Sequence, residues 1–272
     1  MSERNAYIPY GAYWSSPFAR WQGSLAGLHS LEFAAHTAAA ELKSREIPVE
    51  TLDFGVLGTT VPQRHSFYGL PWVTGLIGAP HVGGPTINQA CATGVRCVQT
   101  AAEAVFRGEA ACALVLAGDR TSNGPHLYYP NPGGMGVTGE HEDWVLDNFA
   151  CDPFASVEMV ETAENVARRH QITTEEQHEV VLLRHAQYRE AVSSGFHARY
   201  MTLPFEVPDA RFRRTACTLD GDEGVFPTDA RKLAALRPVK VGGTVTFGGQ
   251  THPADGNVGL LVTDAGRARD LS

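Results

Sequence analysis

Apolar residues recur every three or four positions between Leu28 and Leu42, which predicts an amphipathic helix that ends near Ile47-Pro48. The continuous apolar run Phe54-Gly55-Val56-Leu57-Gly58 then predicts a strand buried on both faces. The same reasoning predicts further helices at about 68–77 and from 94 onward, and further strands at 86–88 and 113–117. Because helices and short apolar strands alternate, the pattern favours an α/β fold, with a mostly parallel or mixed sheet covered by helices on both faces.

This alternation breaks down after Thr121. The region that follows contains the Gly/Pro-rich run Asn131-Pro132-Gly133-Gly134 and two predicted helices, at 154–170 and 174–193. Thr173 and Glu176 have the spacing of a capping box at the start of the second helix. Strands are predicted again at 241–247 and 258–262. The expected organisation is a first core part (1–120), an inserted helical domain (121–235) and the final core strands (236–272).

Cys91 lies where a predicted strand gives way to a predicted helix, within Asn88-Gln89-Ala90-Cys91-Ala92-Thr93-Gly94. At a helix N-terminus, free backbone N–H groups and the positive end of the helix dipole favour a thiolate. A thiolate in this position is suited to acyl transfer. Position alone leaves open the alternative that Cys91 is a small buried hydrophobe, because free cysteine is among the most buried residue types.

The residues around Cys91 resemble the nucleophile loop of the thiolase family, whose members make or cleave 3-ketoacyl-CoA thioesters. Other motifs of the family follow in the same order along the chain: Ser16-Pro17-Phe18 with Gln22-Gly23-Ser24-Leu25, Gly108-Glu109-Ala110 through Gly118-Asp119, Met159 with Thr162-Ala163-Glu164-Asn165-Val166-Ala167, Leu236-Arg237-Pro238, Gly243-Thr244-Val245-Thr246, and Asp255-Gly256. The resemblance covers the N-terminal half of the family, including its inserted loop domain. It implies a thiolase-like α/β core with Cys91 as the acyl carrier.

The resemblance also implies residues that bind substrate. Met159 is expected to line the acyl pocket, although a methionine on a helix is equally typical of a core. Gly249 and Thr251 replace a loop that contacts the pantetheine arm of coenzyme A. The family often has a basic residue that contacts the adenine or phosphates of coenzyme A, but Val225 stands at that position here. Arg214 and Arg231 are therefore candidates for binding the nucleotide part of coenzyme A. An arginine cluster is otherwise typical of a solvated surface. Coenzyme A or acyl-CoA is expected as substrate, with no permanently bound cofactor.

The sequence contains none of the motifs of the family's second half: an Asn-Glu-Ala-Phe segment, a Gly-His-Pro loop, and a second cysteine that acts as acid and base. The His-Pro pair His252-Pro253 lies in a different context. The resemblance therefore implies a nucleophile-bearing subunit that works with a smaller partner carrying the missing half. Two copies are expected to pair through the sheet edge beside Cys91, giving an α2β2 assembly. The alternatives are a non-catalytic protein that binds acyl-CoA or a partner, and a fragment of a longer chain.

Composition limits the partners and the cellular location that are expected for this chain. The net charge of −8 disfavours nucleic acid as a partner, and no apolar run approaches the roughly 20 residues that span a bilayer. No signal-peptide core follows the first residues. The five cysteines lack CxxC spacing, so neither disulfides nor a zinc site is predicted, and a cytoplasmic location is expected. Isolated histidines, namely His65, His126, His141 and His252, show no partner or metal spacing, and structural roles are expected for them.

Overall fold

The structure is a computed structural model that describes residues 5–134, 136, 138–251 and 253–272. The strands are β1 (Tyr13–Ser15), β2 (Ala19–Arg20), β3 (Phe54–Gly58), β4 (Thr86–Ile87), β5 (Cys112–Asp119), β6 (His126–Pro130), β7 (Gly139–Asp143), β8 (Phe205–Pro208), β9 (Thr215–Leu219) and β10 (Ala254–Thr263). The helices are α1 (Ser30–Ser44), α2 (Leu70–Ile77), α3 (Thr93–Arg107), α4 (Leu146–Ala150), α5 (Met159–His170), α6 (Thr174–Ser193), α7 (Ala230–Ala234) and α8 (Ala265–Asp270).

The chain divides into two compact units. Unit 1 contains the residues through Asn123 together with Ala198–Glu223 and Ala254–Ser272, and unit 2 contains Gly124–His197 and Gly224–Pro253. The sequence pattern predicts different boundaries, near residues 120 and 235. Unit 1 includes 198–223, which the pattern assigns to the inserted domain, and unit 2 includes 236–253, which the pattern assigns to the final core strands.

Unit 1 is built on a mixed sheet with the strand order β1-β10-β5-β3-β4, in which β2 also pairs with β10. Strands β3, β4 and β5 run parallel, whereas β10 is antiparallel to β5 and to β1. Parallel strands leave their carboxyl ends at one edge of the sheet, which is where α/β proteins bind their ligands. Cys91 follows β4 at this edge, as the sequence analysis predicts.

Helices cover both faces of this sheet, because successive residues of the central strands β3 and β5 are apolar and point to opposite faces. On one face, Leu114 packs with Leu31 of α1 and Leu70 of α2. On the other face, Val115 packs with Cys97 and Ala101 of α3. The α/β class and the helical cover on both faces are confirmed.

Residues 198–223 belong to unit 1 because their hairpin, β8 with β9, continues its core. Phe205 and Val207 are buried against Phe33 of α1, together with Leu25 and Leu28. The rings of Phe33 and Phe205 meet edge to face with centroids 6.0 Å apart. The strand β8 is not predicted from the sequence, because only four residues, Phe205–Pro208, carry its alternation.

Unit 2 holds the two predicted helices α5 and α6 and the hairpin of β6 with β7. The capping box at Thr173 and Glu176 is present: the Glu176 N–H donates to Thr173 Oγ1, and the Thr173 N–H donates to the Glu176 carboxylate. The strand predicted at 241–247 is wrong. The N–H groups of Thr244 and Val245 donate to the side chain of Glu164 and not to a neighbouring strand.

In the part of the chain that the structure describes, no helix combines the length and apolar character needed to cross a bilayer. His252, one of the histidines singled out in the sequence, lies outside the described residues.

Candidate active site

The loop between β4 and α3 holds Cys91 in place through its own hydrogen bonds. Thr93, the first residue of α3, accepts a hydrogen bond at Oγ1 from the Gln89 N–H (2.8 Å) and donates to the Ala90 carbonyl (2.7 Å). Asn88 Oδ1 accepts from the Ala90 N–H at 3.1 Å. Arg96 Nε donates to Gln89 Oε1 at 2.8 Å. Three of these bonds link Gln89 and Ala90 to the first turn of α3, and the fourth lies within the loop.

Ala90, directly before Cys91, has a φ angle of 44°. A positive φ is uncommon for any residue other than glycine, and such strained positions cluster at functional sites, where the surrounding structure must hold them. The Asn88 and Thr93 bonds, both made to the backbone of Ala90, supply that restraint. The loop is therefore a fixed turn that presents the residue after Ala90.

Cys91 itself is a free, exposed thiol, and none of the bonds that brace the loop uses its sulfur. The reading of Cys91 as a small buried hydrophobe is therefore wrong. By contrast, Cys97 and Cys112 are fully buried. Burial raises the pKa of each of these two thiols to about 11, so both remain protonated near neutral pH. The sequence offers no motif like that of Cys91 around either residue, and their burial indicates a packing role.

Two residues on the strands fix the first turn of α3 and the loop after β3. Gly58, at the end of β3, lies against α3: a Cβ there would come within 2.8 Å of Cys97 Sγ and of Thr93 Cγ2. Asp119, at the end of β5, accepts hydrogen bonds from the N–H groups of Thr60 and Val61 and from the hydroxyls of Thr59 and Thr60. Sequence analysis assigned no role to either residue.

In unit 2, the segment that leads to Gly249 and Thr251 is anchored by a buried carboxylate. Glu164 on α5 is only 5% exposed and accepts from Val245 N (2.8 Å), from Thr244 N (2.8 and 3.0 Å) and from Thr244 Oγ1 (3.0 Å). Helix α6 adds a bond from Gln177 Nε2 to Thr244 Oγ1 and places His178 Nε2 at 2.8 Å from Thr246 Oγ1. The segment is therefore held by two helices at once.

In the sequence, Glu164 stands out only as a member of the motif Thr162-Ala163-Glu164-Asn165-Val166-Ala167, which does not reveal its anchoring role. The signal that could have revealed it is an acidic residue on the inward stripe of α5, three positions before the buried Ala167. Desolvation acts to raise the pKa of Glu164, but the hydrogen bonds from Val245 and Thr244 outweigh it, and the pKa lies below its ordinary value of 4.5.

We expect Glu164→Ala to destabilise unit 2 by about 1–3 kcal/mol, because it leaves buried N–H donors without an acceptor. Since the folded-state pKa of Glu164 is lowered, its contribution is complete above pH 4.5 and is lost as the pH falls through the lowered value. Denaturant unfolding at pH 7 and at acidic pH measures both effects. Glu179→Ala, an exposed position on α6, is the matched control; equal losses in the two variants would contradict the anchoring role.

The remaining candidates are distributed over both units. Met159, the first residue of α5, is 59% exposed and is therefore not a core residue. Three other candidates are also exposed, namely Gly249, Thr251 and Arg231. All four residues lie in unit 2. Arg214 lies in unit 1 with its side chain 83% exposed, and its Nε is 3.3 Å from Asp209 Oδ2.

Arg214 lines a groove of about 480 Å³ between α1 and the β8–β9 hairpin. His36 and Phe212 line the same groove, with their ring centroids 5.3 Å apart. Burial lowers the pKa of His36. No residue of the Cys91 loop lines this groove. This groove therefore does not coincide with the nucleophile, which is exposed at the carboxyl ends of the parallel strands.

Comparison with known proteins gives consistent matches. The sequence model of the thiolase N-terminal domain matches residues 13–266. Acetyl-CoA acetyltransferase of Yarrowia lipolytica is 25% identical over 268 residues, which cover 98% of this chain and 66% of that protein. The structure of Bacillus anthracis acetyl-CoA acetyltransferase is similar with a TM-score of 0.86 at 25% identity, over 99% of this chain and 68% of that one.

The human mitochondrial 3-ketoacyl-CoA thiolase, solved in complex with CoA, has a TM-score of 0.83 at 24% identity, over 98% of this chain and 66% of that one. The chain thus spans about two thirds of the length of the proteins that it matches.

Proposed function

The chain belongs to the thiolase family, whose N-terminal domain it matches over residues 13–266, and we propose that it forms or cleaves 3-ketoacyl-CoA thioesters through an acyl group carried on Cys91. The observation that carries this proposal is the geometry of the loop: a braced, strained turn presents an exposed thiol at the carboxyl edge of a sheet, two residues before a helix. A non-catalytic binding protein has no need of such an arrangement.

In the synthetic direction, the Cys91 thiolate attacks the carbonyl carbon of an acyl-CoA. The bond from that carbon to the CoA sulfur breaks, CoA leaves, and the acyl group stays on Cys91. The enolate of a second acyl-CoA, formed by removal of an α-proton, then attacks the acyl carbon. A carbon–carbon bond forms and Cys91 is released. Thiolysis follows the same reaction steps in reverse order.

Negative charge develops on the carbonyl oxygen during each attack. A donor already aimed at that oxygen lowers the barrier, and loss of one such donor typically costs about 100-fold or more in rate. The backbone N–H of Cys91 is the donor that this chain supplies. The Cys91 N–H and the Ala90 carbonyl belong to the same planar peptide group, so the fixed conformation of Ala90 sets the direction of that N–H.

The groups that move protons in this reaction are proposed to come from a second, smaller polypeptide. The side chains that form hydrogen bonds within the Cys91 loop belong to Asn88, Gln89, Thr93 and Arg96, and none of them is a general base near neutral pH. Thiolases use a histidine and a second cysteine for this purpose. A cytoplasmic location is part of the proposal, because all five cysteines are free thiols.

The test of this function is an assay for the shortened acyl-CoA and acetyl-CoA released from short and long 3-ketoacyl-CoA substrates, with the chain and the smaller polypeptide present together. Turnover is expected. If the two proteins associate and bind acyl-CoA but release no product from any substrate, the protein is a thiolase-like binding protein and the proposed reaction is wrong.

The proposed assembly rests on two exposed surfaces of unit 1. Strand β4 is an edge of the sheet, and the neighbouring Phe67 and Tyr68, which meet edge to face, are 93% and 74% exposed. On α3, Val95 is 76% exposed. Apolar groups this exposed are typical of interaction surfaces, and an unpaired strand edge invites pairing. We assign the β4 edge to a second copy of this chain and the outer face of α3 to the smaller polypeptide.

Light scattering on the co-expressed proteins should therefore give the mass of an α2β2 complex with two-fold symmetry. Tyr68→Glu at the β4 edge is expected to halve that mass while the chain keeps its smaller partner. A stable monomer of this chain that unfolds cooperatively without any partner would contradict the proposed assembly.

A further inference from the structure

The hairpin of β6 with β7 brings together two histidines that are 15 residues apart in the sequence. In its register His126 lies opposite Asp143, and Tyr128 lies opposite His141. Because side chains alternate between the faces of a strand, all four of these residues share one face of the hairpin. The expectation that His126 and His141 have no partner is therefore wrong.

The two imidazoles meet at the distance of a chelate. His126 Nδ1 lies 3.1 Å from His141 Nε2, with the rings inclined by 22°. Two imidazole nitrogens bound to one ion at about 2.0–2.1 Å, at an angle between 90° (square) and the tetrahedral value, are themselves about 2.8–3.4 Å apart. The observed separation falls within this range, so an ion can bind both nitrogens with little movement of the backbone.

A carboxylate lies behind one of the two rings. Asp143 Oδ2 is 3.8 Å from His126 Nε2, and Asp143 Oδ1 accepts hydrogen bonds from the N–H groups of Val145 and Leu146. At 3.8 Å the carboxylate is not hydrogen-bonded to the ring, but its negative charge beside Nε2 favours the His126 tautomer that carries the proton there, which leaves the Nδ1 lone pair available on the side of His141.

From this arrangement we propose that His126 and His141 form a two-histidine site for a borderline divalent ion such as Zn²⁺, Ni²⁺ or Cu²⁺. Imidazole nitrogen suits these ions better than it suits Mg²⁺ or Ca²⁺. When the ion binds, His141 moves its proton from Nε2 to Nδ1, and each histidine contributes one lone pair. Asp143 acts as a positioning residue and does not contact the ion.

The site is open on its outer side. The His126 side chain is 61% exposed, and in the described part of the chain no group of three or more His, Cys, Asp or Glu side chains is arranged to hold a metal. The remaining coordination positions are thus left for water or for an external ligand. This proposal is independent of the function assigned to Cys91, because every residue it uses lies on the hairpin of unit 2.

The test is isothermal titration calorimetry of Zn²⁺ and Ni²⁺ into the full chain, carrying no affinity tag and stripped of metal beforehand. One ion per chain is expected. Binding should be lost in His126→Ala and in His141→Ala, and should weaken about 10- to 100-fold in Asp143→Asn, which keeps the Oδ1 acceptor but removes the charge. His170→Ala, an exposed histidine at the end of α5, is the matched control and should bind as the parent does.

Electron paramagnetic resonance of bound Cu²⁺ supplies a second readout. It should show coupling to two imidazole nitrogens in the parent chain and not in either single variant. Absence of binding to the parent chain, unchanged affinity in either single histidine variant, or an equal loss in His170→Ala would overturn the proposal.

Discussion

Replacement of Cys91 by alanine is expected to lower 3-ketoacyl-CoA thiolysis by the complete assembly on the order of 10⁴- to 10⁶-fold, the size of loss seen when a catalytic nucleophile is removed. The reaction has no covalent route without this thiol, because the acyl group must be held while one product leaves and the next reactant enters. Initial rates with acetoacetyl-CoA and with a longer 3-ketoacyl-CoA measure the effect. Binding of acyl-CoA should remain in the variant, which separates lost chemistry from lost folding.

Two other exposed cysteines provide matched controls. Cys151 follows α4 and Cys217 lies on β9, and neither stands before a helix. Cys151→Ser and Cys217→Ser should retain the parent rate. A loss in either variant comparable to that of Cys91→Ala, or substantial turnover by Cys91→Ala, would place the nucleophile elsewhere.

The second large effect concerns the chain on its own. Each general acid or base contributes about 10²–10⁴-fold to a reaction of this kind, so a protein without the histidine and the second cysteine should be slower by about 10⁴-fold or more. We expect the purified chain to show almost no thiolysis and to gain full activity when the smaller polypeptide is added. Titration of one protein with the other should reach its plateau at equal amounts.

A smaller polypeptide in which the histidine of Gly-His-Pro is replaced by alanine is the appropriate control. It should bind this chain equally well and restore little activity. If the lone chain turns over acetoacetyl-CoA at the rate of the mixture, the proton-transferring groups lie within this chain, and the proposal of a second polypeptide fails.

The elements that carry Cys91 could be predicted from the sequence. The apolar run at 54–58 matches β3, and the helices predicted from Leu28 and after Gly94 match α1 and α3. These elements are governed by local periodicity, because each presents a continuous apolar face to one core. The place of Cys91 between a strand and a helix is predicted in the same way, whereas its exposure is known only from the structure, because position alone is compatible with a buried thiol.

Residues whose roles depend on distant partners could not be predicted. Glu164 and Val245 are 81 positions apart, and a hydrogen bond from a backbone N–H to a carboxylate produces no periodic pattern in the amino-acid sequence. The same bond replaced the strand expected at 241–247. His126 and His141 meet only because of the register of their hairpin, which the intervening Gly/Pro-rich loop does not specify by any simple rule.

Trapping the acyl intermediate shows whether Cys91 carries the acyl group. The assembled protein is incubated with an acyl-CoA that lacks a second reactant, quenched in acid, digested, and analysed by mass spectrometry. The account predicts the mass of the acyl group on the peptide that contains Cys91, one equivalent per chain, and none in Cys91→Ala. An adduct on Cys97, Cys112, Cys151 or Cys217, or turnover without any adduct on Cys91, would contradict it.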